Sequence, residues 1–190
     1  MASAVQILPC TDITNPFCYN TDPVAYTFFG WMGVAAALVI ANIGAAYGTA
    51  KSGIGIGSMS VTRPNLVYKS LISVVMAGIL GIYGLIVSVI LVGKVQMNVA
   101  YGPYQGFRTL ASGVCCGASA LASGYAIGVV GEHAVRTNAI NEEFYVGMIL
   151  ILIFAEAIGL FGLIIAIILS QMWEKCDYLR FDQIKKIKQN

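Results

Sequence analysis

The chain reads as an all-α membrane protein, with four transmembrane helices arranged as two tandem helical hairpins. Three observations lead there. Of its 190 residues 58% are hydrophobic and only 11% charged, where a soluble domain carries about 25% charge; mean hydropathy is +0.79. Four runs, Tyr26–Ala50, Ser70–Gly93, Thr109–Gly131 and Phe144–Ser170, contain no charge except Glu156 in the last. Each is longer than the ~20 residues that cross a hydrocarbon core. Finally, the second half of the chain repeats the first.

The elements follow in order. Residues 1–24 form a polar segment with no Lys or Arg and with Pro9, Pro16 and Pro23. It lacks the basic start of a signal peptide, so the first helix is expected to be retained. Residues 25–95 make the first hairpin, 96–107 a connecting loop, 108–173 the second hairpin with Glu156, and 174–190 a polar tail. Trp31 and Trp173 lie near span ends, where interfacial aromatics are enriched. Such short connections hold no soluble domain. Any catalytic head belongs to another polypeptide, and the chain is not expected to be an enzyme by itself.

The repeat is explicit. Val75–Ile86 reads VMAGILGIYGLI and Ile153–Ile164 reads IFAEAIGLFGLI. Ala77, Gly81, Gly84, Leu85 and Ile86 match Ala155, Gly159, Gly162, Leu163 and Ile164. In the preceding helices Gly48 and Ala50 match Gly124 and Ala126. The two hairpins therefore share one orientation, but Gly78 stands where the second has Glu156. The first and third helices also carry small residues at four-residue spacing. Gly33, Ala37, Ala41 and Ala45 form one stripe, flanked by Gly44, Gly48 and Ser52; Ser112, Cys116, Ala120, Gly124 and Gly128 form the other. Such spacing lets backbones approach closely in lipid. Packing within one bundle would use these stripes; so would the inner layer of a larger assembly, which two stripes on alternate helices suit better. The second and fourth helices carry the large aliphatics of lipid-facing surfaces.

Glu156 is the candidate functional residue. A carboxylate at the bilayer centre is expensive, and acids kept there mark ion pathways by default. The setting favours the neutral, protonated acid. A structural, hydrogen-bonded carboxylic acid is the blander reading; snorkelling is not open to a glutamate so deep. No Lys or Arg lies in any of the four runs, so a counter-charge must come from another protein or from water. One acid and a few hydroxyls suit a proton better than sodium, which needs several oxygens. Tyr83 is the expected hydrogen-bond partner, since a phenol in an apolar helix seeks one. Phe161 holds the equivalent place in the repeat, so aromatic packing fits the pattern equally well.

Other motifs carry less. Gly53–Gly57 lacks the Gly-Lys-Ser/Thr order of a phosphate loop. His133 beside Glu132 reads as a solvated loop histidine, and Glu142 and Glu143 as acids favouring a helix N-terminus. Five cysteines show no metal-ligand spacing, and no metal or cofactor is expected. Cys10 and Cys18 could pair in an oxidising lumen.

IGAAYGTAKSGIGI at Ile43–Ile56, VMAGILGIYGLI at Val75–Ile86, SGYAIGVVGE at Ser123–Glu132 and VGMILILIFAEAIGLFGLI at Val146–Ile164 together resemble the rotor proteolipid family of V-type proton ATPases. The resemblance spans roughly Phe28–Gln171. It implies a ring of duplicated hairpins rotating against a stator. Glu156 matches the family's proton-carrying glutamate and Tyr83 the tyrosine that hydrogen-bonds it. The implied ring-packing positions are Ala41, Gly44, Gly48, Cys116, Ala120, Gly124 and Gly128, on helices lining the ring interior. The implied partners are further copies of this chain and related proteolipids, a stator protein supplying an arginine, central-stalk and peripheral ATPase-sector subunits, and lipid, with no nucleic acid. The implied location is a vacuolar or other acidic endomembrane, with lumenal termini.

Basic residues give a divided view of that topology. Lys51, Arg63, Lys69 and Arg136 fall on the implied cytosolic side, against Lys94, Arg108 and five more in the tail. By count the positive-inside rule favours the reverse orientation. The first helix alone agrees with the family, with Asp12 and Asp22 before it and Lys51 after. The alternatives are a fungal-type paralogous proteolipid, similar throughout, and a ring-forming channel or junction protein. The latter is disfavoured by inner stripes of Gly and Ala, and an independent carrier by the lack of a polar substrate cluster. The relative with its acid in the other hairpin is disfavoured by Gly78.

Overall fold

The computed structural model describes residues 23–97 and 103–171. The polar N-terminal segment with Cys10 and Cys18, and the tail with Trp173, lie outside the described residues. Four helices account for nearly all the rest: α1 (Pro23–Thr62), α2 (Val67–Met97), α3 (Pro103–Ile140) and α4 (Phe144–Gln171). Each is long and apolar enough to cross a membrane.

Two tight turns close the hairpins. α1 ends when Arg63 turns extended, at φ −142°, and Pro64 opens a single 3₁₀ turn, Pro64–Leu66. Proline is favoured there because the first helical N–H has no partner to lose. In the second hairpin Asn141 takes the amide of Glu143 on its side-chain oxygen at 3.1 Å. This is the local capping that makes asparagine a helix starter. An exposed ion pair, Arg63 to Glu142 at 2.8 Å, links the two turns, so both hairpins close at the same end of the bundle.

α1 and α3 run parallel and in near-backbone contact along most of their length. A Cβ on Gly33 would lie 2.5 Å from the Thr109 carbonyl, one on Gly44 2.5 Å from Leu121 Cα, and one on Gly48 2.9 Å from the Gly124 carbonyl. Further along, a Cβ on Gly55 would lie 3.0 Å from the backbone of Glu132. Lipid tails supply no hydrophobic drive between helices, so close packing of small residues and interhelical hydrogen bonds must hold the bundle. α2 packs antiparallel on α1, and α4 antiparallel on α3. Large side chains such as Val75, Val89, Val146, Phe154, Phe161 and Ile168 face outward.

The helices outrun the charge-free runs. At ~1.5 Å per residue, α1 with its 40 residues is about 60 Å long, well beyond a ~30 Å hydrocarbon core. Gly53–Gly57 is helical, and His133 lies on α3 rather than in a loop. The reason is partnership. Lys51 on α1 meets Glu132 on α3 at 3.4 Å, and Glu132 also holds Arg136 one turn on at 2.8 Å. The parallel pair continues past the first charges because those charges neutralise each other across it.

Candidate functional site

The repeat motif is the surface on which the outer helices dock. Its shared small residues all point inward. A Cβ on Gly84 would meet Ala41 Cβ at 2.5 Å and the Ala37 carbonyl at 2.7 Å. The same atom on Gly162 would overlap the Ser119 side chain, and on Gly159 it would lie 2.7 Å from Leu80. Glycine at these places sinks α2 into α1 and α4 into α3, and so brings α2 and α4 together.

Glu156 stands at the middle of α4, on the boundary between two faces of the helix. Leu152 and Gly159, four residues before it and three after, are buried; Ile153 and Leu160, three before and four after, are exposed. Its carboxyl group is therefore half-buried, open toward the lipid-facing side. Tyr83 of α2 is also half-buried, and its hydroxyl donates to Glu156 Oε1 at 3.0 Å. Of the two readings that the pattern of Tyr83 allowed, the geometry is that of a hydrogen-bond donor. No Lys or Arg pairs with Glu156 among the described residues. The acid thus has one donor from its own chain and an approach from outside.

The small residues expected at ring contacts are used inside one protomer. Ala41, Cys116 and Ala120 have no exposed surface. Gly44 faces Ala120 and Leu121, Gly124 faces the backbone of Gly44, and a Cβ on Gly128 would lie 3.2 Å from Gly48 Cα. These seven positions set α1 against α3, and α2 against the pair, within a single chain.

Sequence reasoning placed Ser52 and Ser112 on the packing stripes but gave no interhelical partner to their hydroxyls or to that of Ser123. Ser123 donates to the Ala155 carbonyl at 2.7 Å and Ser112 to the Ala166 carbonyl at 2.8 Å, both from α3 to α4. Ser52 and Ser73 share a bond of 2.9 Å between α1 and α2. Their signal was small polar residues on inward stripes, which spacing alone does not separate from packing.

A family model for the C-subunit of ATP synthase matches the chain twice, over residues 32–91 and 110–169. The 16 kDa proteolipid c-subunit of the V-type proton ATPase from Nephrops norvegicus is 56% identical over 147 residues, covering 77% of this chain and 92% of its own length. A V-type proton ATPase 16 kDa proteolipid subunit from Chrysotila carterae is 54% identical over 159 residues, or 82% of this chain and 97% of that protein. The c′-subunit of the V-type proton ATPase from Eremothecium gossypii is 48% identical over 159 residues, 84% of this chain and 94% of its own.

Proposed function

The chain belongs to the ATP synthase C-subunit family, among the V-type proton ATPase proteolipids, and from that premise we propose that Glu156 carries the proton in a rotating ring of these chains. It is an integral, multi-pass membrane protein and a proton-translocating component of the membrane sector. The observation that carries the finer reading is the setting of Glu156: an acid at the middle of α4, half-buried, with one phenol donor and no paired cation among the described residues.

Proton transfer follows from that setting. A bare charge is costly in hydrocarbon, so on this reading an acid that crosses lipid does so with its proton bound. Tyr83 accommodates either state, since a phenol O–H can donate to a carboxylate or to the carbonyl oxygen of a carboxylic acid. Protonated, the site passes through lipid as the ring turns. Release requires a cation to stabilise the carboxylate, and a stator arginine supplies it. Water in a half-channel on each side of the stator delivers and removes the proton. Each proton moved against 100 mV costs ~2.3 kcal/mol, which ATP hydrolysis on other subunits supplies through rotation. The membrane is an acidic endomembrane such as the vacuole's, with both termini toward the lumen and the hairpin turns toward the ATPase sector.

Glu156→Gln tests the reading. The amide keeps the shape and accepts the Tyr83 bond but carries no proton. Rings should form in normal yield, and ATP-driven acidification of vesicles containing only this variant should fall to background. Acidification at the parent rate would overturn the proposal.

A further inference from the structure

We infer that Ser123 is a positioning residue for Glu156, an inference that rests on the proton-carrying role proposed above. Ser123 lies on α3 with no exposed surface, and its hydroxyl donates to the carbonyl oxygen of Ala155, the residue directly before Glu156. In a helix that carbonyl already accepts the amide four residues on, so α3 shares it with α4's own ladder. Gly159 makes the room: a Cβ there would lie 3.4 Å from both Ser123 Cβ and Oγ, besides its closer approach to Leu80. The turn 155–159 is thus held by a hydrogen bond from α3 and by a side chain of α2. Glu156 is a half-buried residue of this turn, between buried Ala155 and exposed Ile158.

The same helix reaches the other half of the site. Seven residues before Ser123, the Cys116 thiol is directed at the Tyr83 carbonyl, 3.9 Å away. α3 therefore touches the backbone on both sides of the Tyr83–Glu156 bond. At 3.0 Å that bond is already at the long end of the range for an O–H···O contact, and a further slide of a few tenths of an ångström weakens it. The hydrocarbon offers no water to replace it. The titratable side chains at this level are Tyr83 from α2, on the carboxyl group itself, and Cys116 from α3. α1 turns the neutral Asn42 toward Gly81 of α2.

Ser112 provides the comparison within the molecule. It makes the same serine-to-carbonyl bond between the same two helices, at Ala166, ten residues beyond Glu156. If such bonds only glue α3 to α4, the two serines are equivalent; if Ser123 positions the acid, they are not.

The test uses the full chain assembled in membranes and the lipid-soluble reagent dicyclohexylcarbodiimide, which modifies protonated carboxyl groups. The rate of modification at Glu156 is followed across pH for the parent, Ser123→Ala and Ser112→Ala. Ser123→Ala is expected to assemble normally and to change the rate at a given pH by about threefold or more, the scale of one interhelical hydrogen bond in a membrane. Ser112→Ala is expected to superimpose on the parent. The inference is overturned if Ser123→Ala superimposes on the parent, or if Ser112→Ala moves as far. Should Ser123→Ala fail to assemble, Ser123→Cys, of similar size and with a weaker donor, takes its place with the same two outcomes. A parent that is not modified at Glu156 at any pH would instead overturn the proton-carrying role.

Discussion

The two hairpins share a backbone plan and differ at both positions of the proposed proton site. The first has Gly78 and Tyr83; the second has Glu156 and Phe161 at the matching places. Neither hairpin holds a complete site. The phenol of one meets the carboxyl group of the other across the α2–α4 contact. The unused counterparts lie on the outside: a Cβ on Gly78 would find nothing within 4 Å, and Phe161 is 63% exposed. The shared glycines and alanines build the scaffold, and on the proposed function two side chains, one from each copy, carry the chemistry.

The harshest way to break that scaffold is at the seam between the repeats. Gly124→Leu must drive four carbons into the backbone of Gly44. Overpacking costs typically ~1–3 kcal/mol where neighbours can give way, and here the neighbour is main chain. Loss of assembled ring on native gels is the expected result; a stable, full-size ring would show that α1 and α3 do not depend on this approach.

Transposing the site sharpens the comparison next. Glu156→Gln combined with Gly78→Glu and Phe161→Tyr moves acid and phenol to the opposite hairpins. Within one protomer Tyr83 of α2 faces α4. Positions 78 and 161 lie on the outside of the protomer, so in the proposed ring the transposed pair would form between neighbours. The triple variant should regain carbodiimide modification, now at position 78, while Glu156→Gln with Gly78→Glu alone should regain less. Equal modification with and without the tyrosine would mean the phenol has no part in shaping the site.

A smaller effect is expected when the first hairpin is made to match the second at one atom. Tyr83→Phe removes only the hydroxyl. One hydrogen bond is worth ~1 kcal/mol, so the rate of Glu156 modification at fixed pH should change about fivefold, with the ring intact and pumping reduced. Identical modification and pumping would return Tyr83 to a packing role.

How far these differences could be read in advance depends on the kind of physics behind each. The four spans were legible because lipid excludes charge, and charge-free runs are counted directly. Their true ends were not. α1 continues through Lys51 and three glycines, and α3 through Glu132, because each helix lies along the other. A single segment does not reveal such a partner. Glu156 stood out in the sequence through its isolation, as the one charge in its run. Tyr83 was readable only as one of two equal choices, since a phenol and a phenyl ring pack alike until the acceptor is known. The stripes told that backbones meet closely but not which backbones. Ser123 was hidden for a related reason: a hydroxyl that donates to another helix's carbonyl leaves no spacing rule in either segment.

Gly78 finally bears on the gearing of the machine. A ring with one acid per protomer carries half the protons per turn of a ring with one per hairpin. For a fixed free energy delivered per turn, each proton then receives twice as much. One pH unit corresponds to ~1.36 kcal/mol per proton, so the same drive sustains a gradient twice as steep while moving half the charge. On the proposed function, the absence of a carboxyl group at residue 78 trades flux for the depth of acidity the compartment can reach.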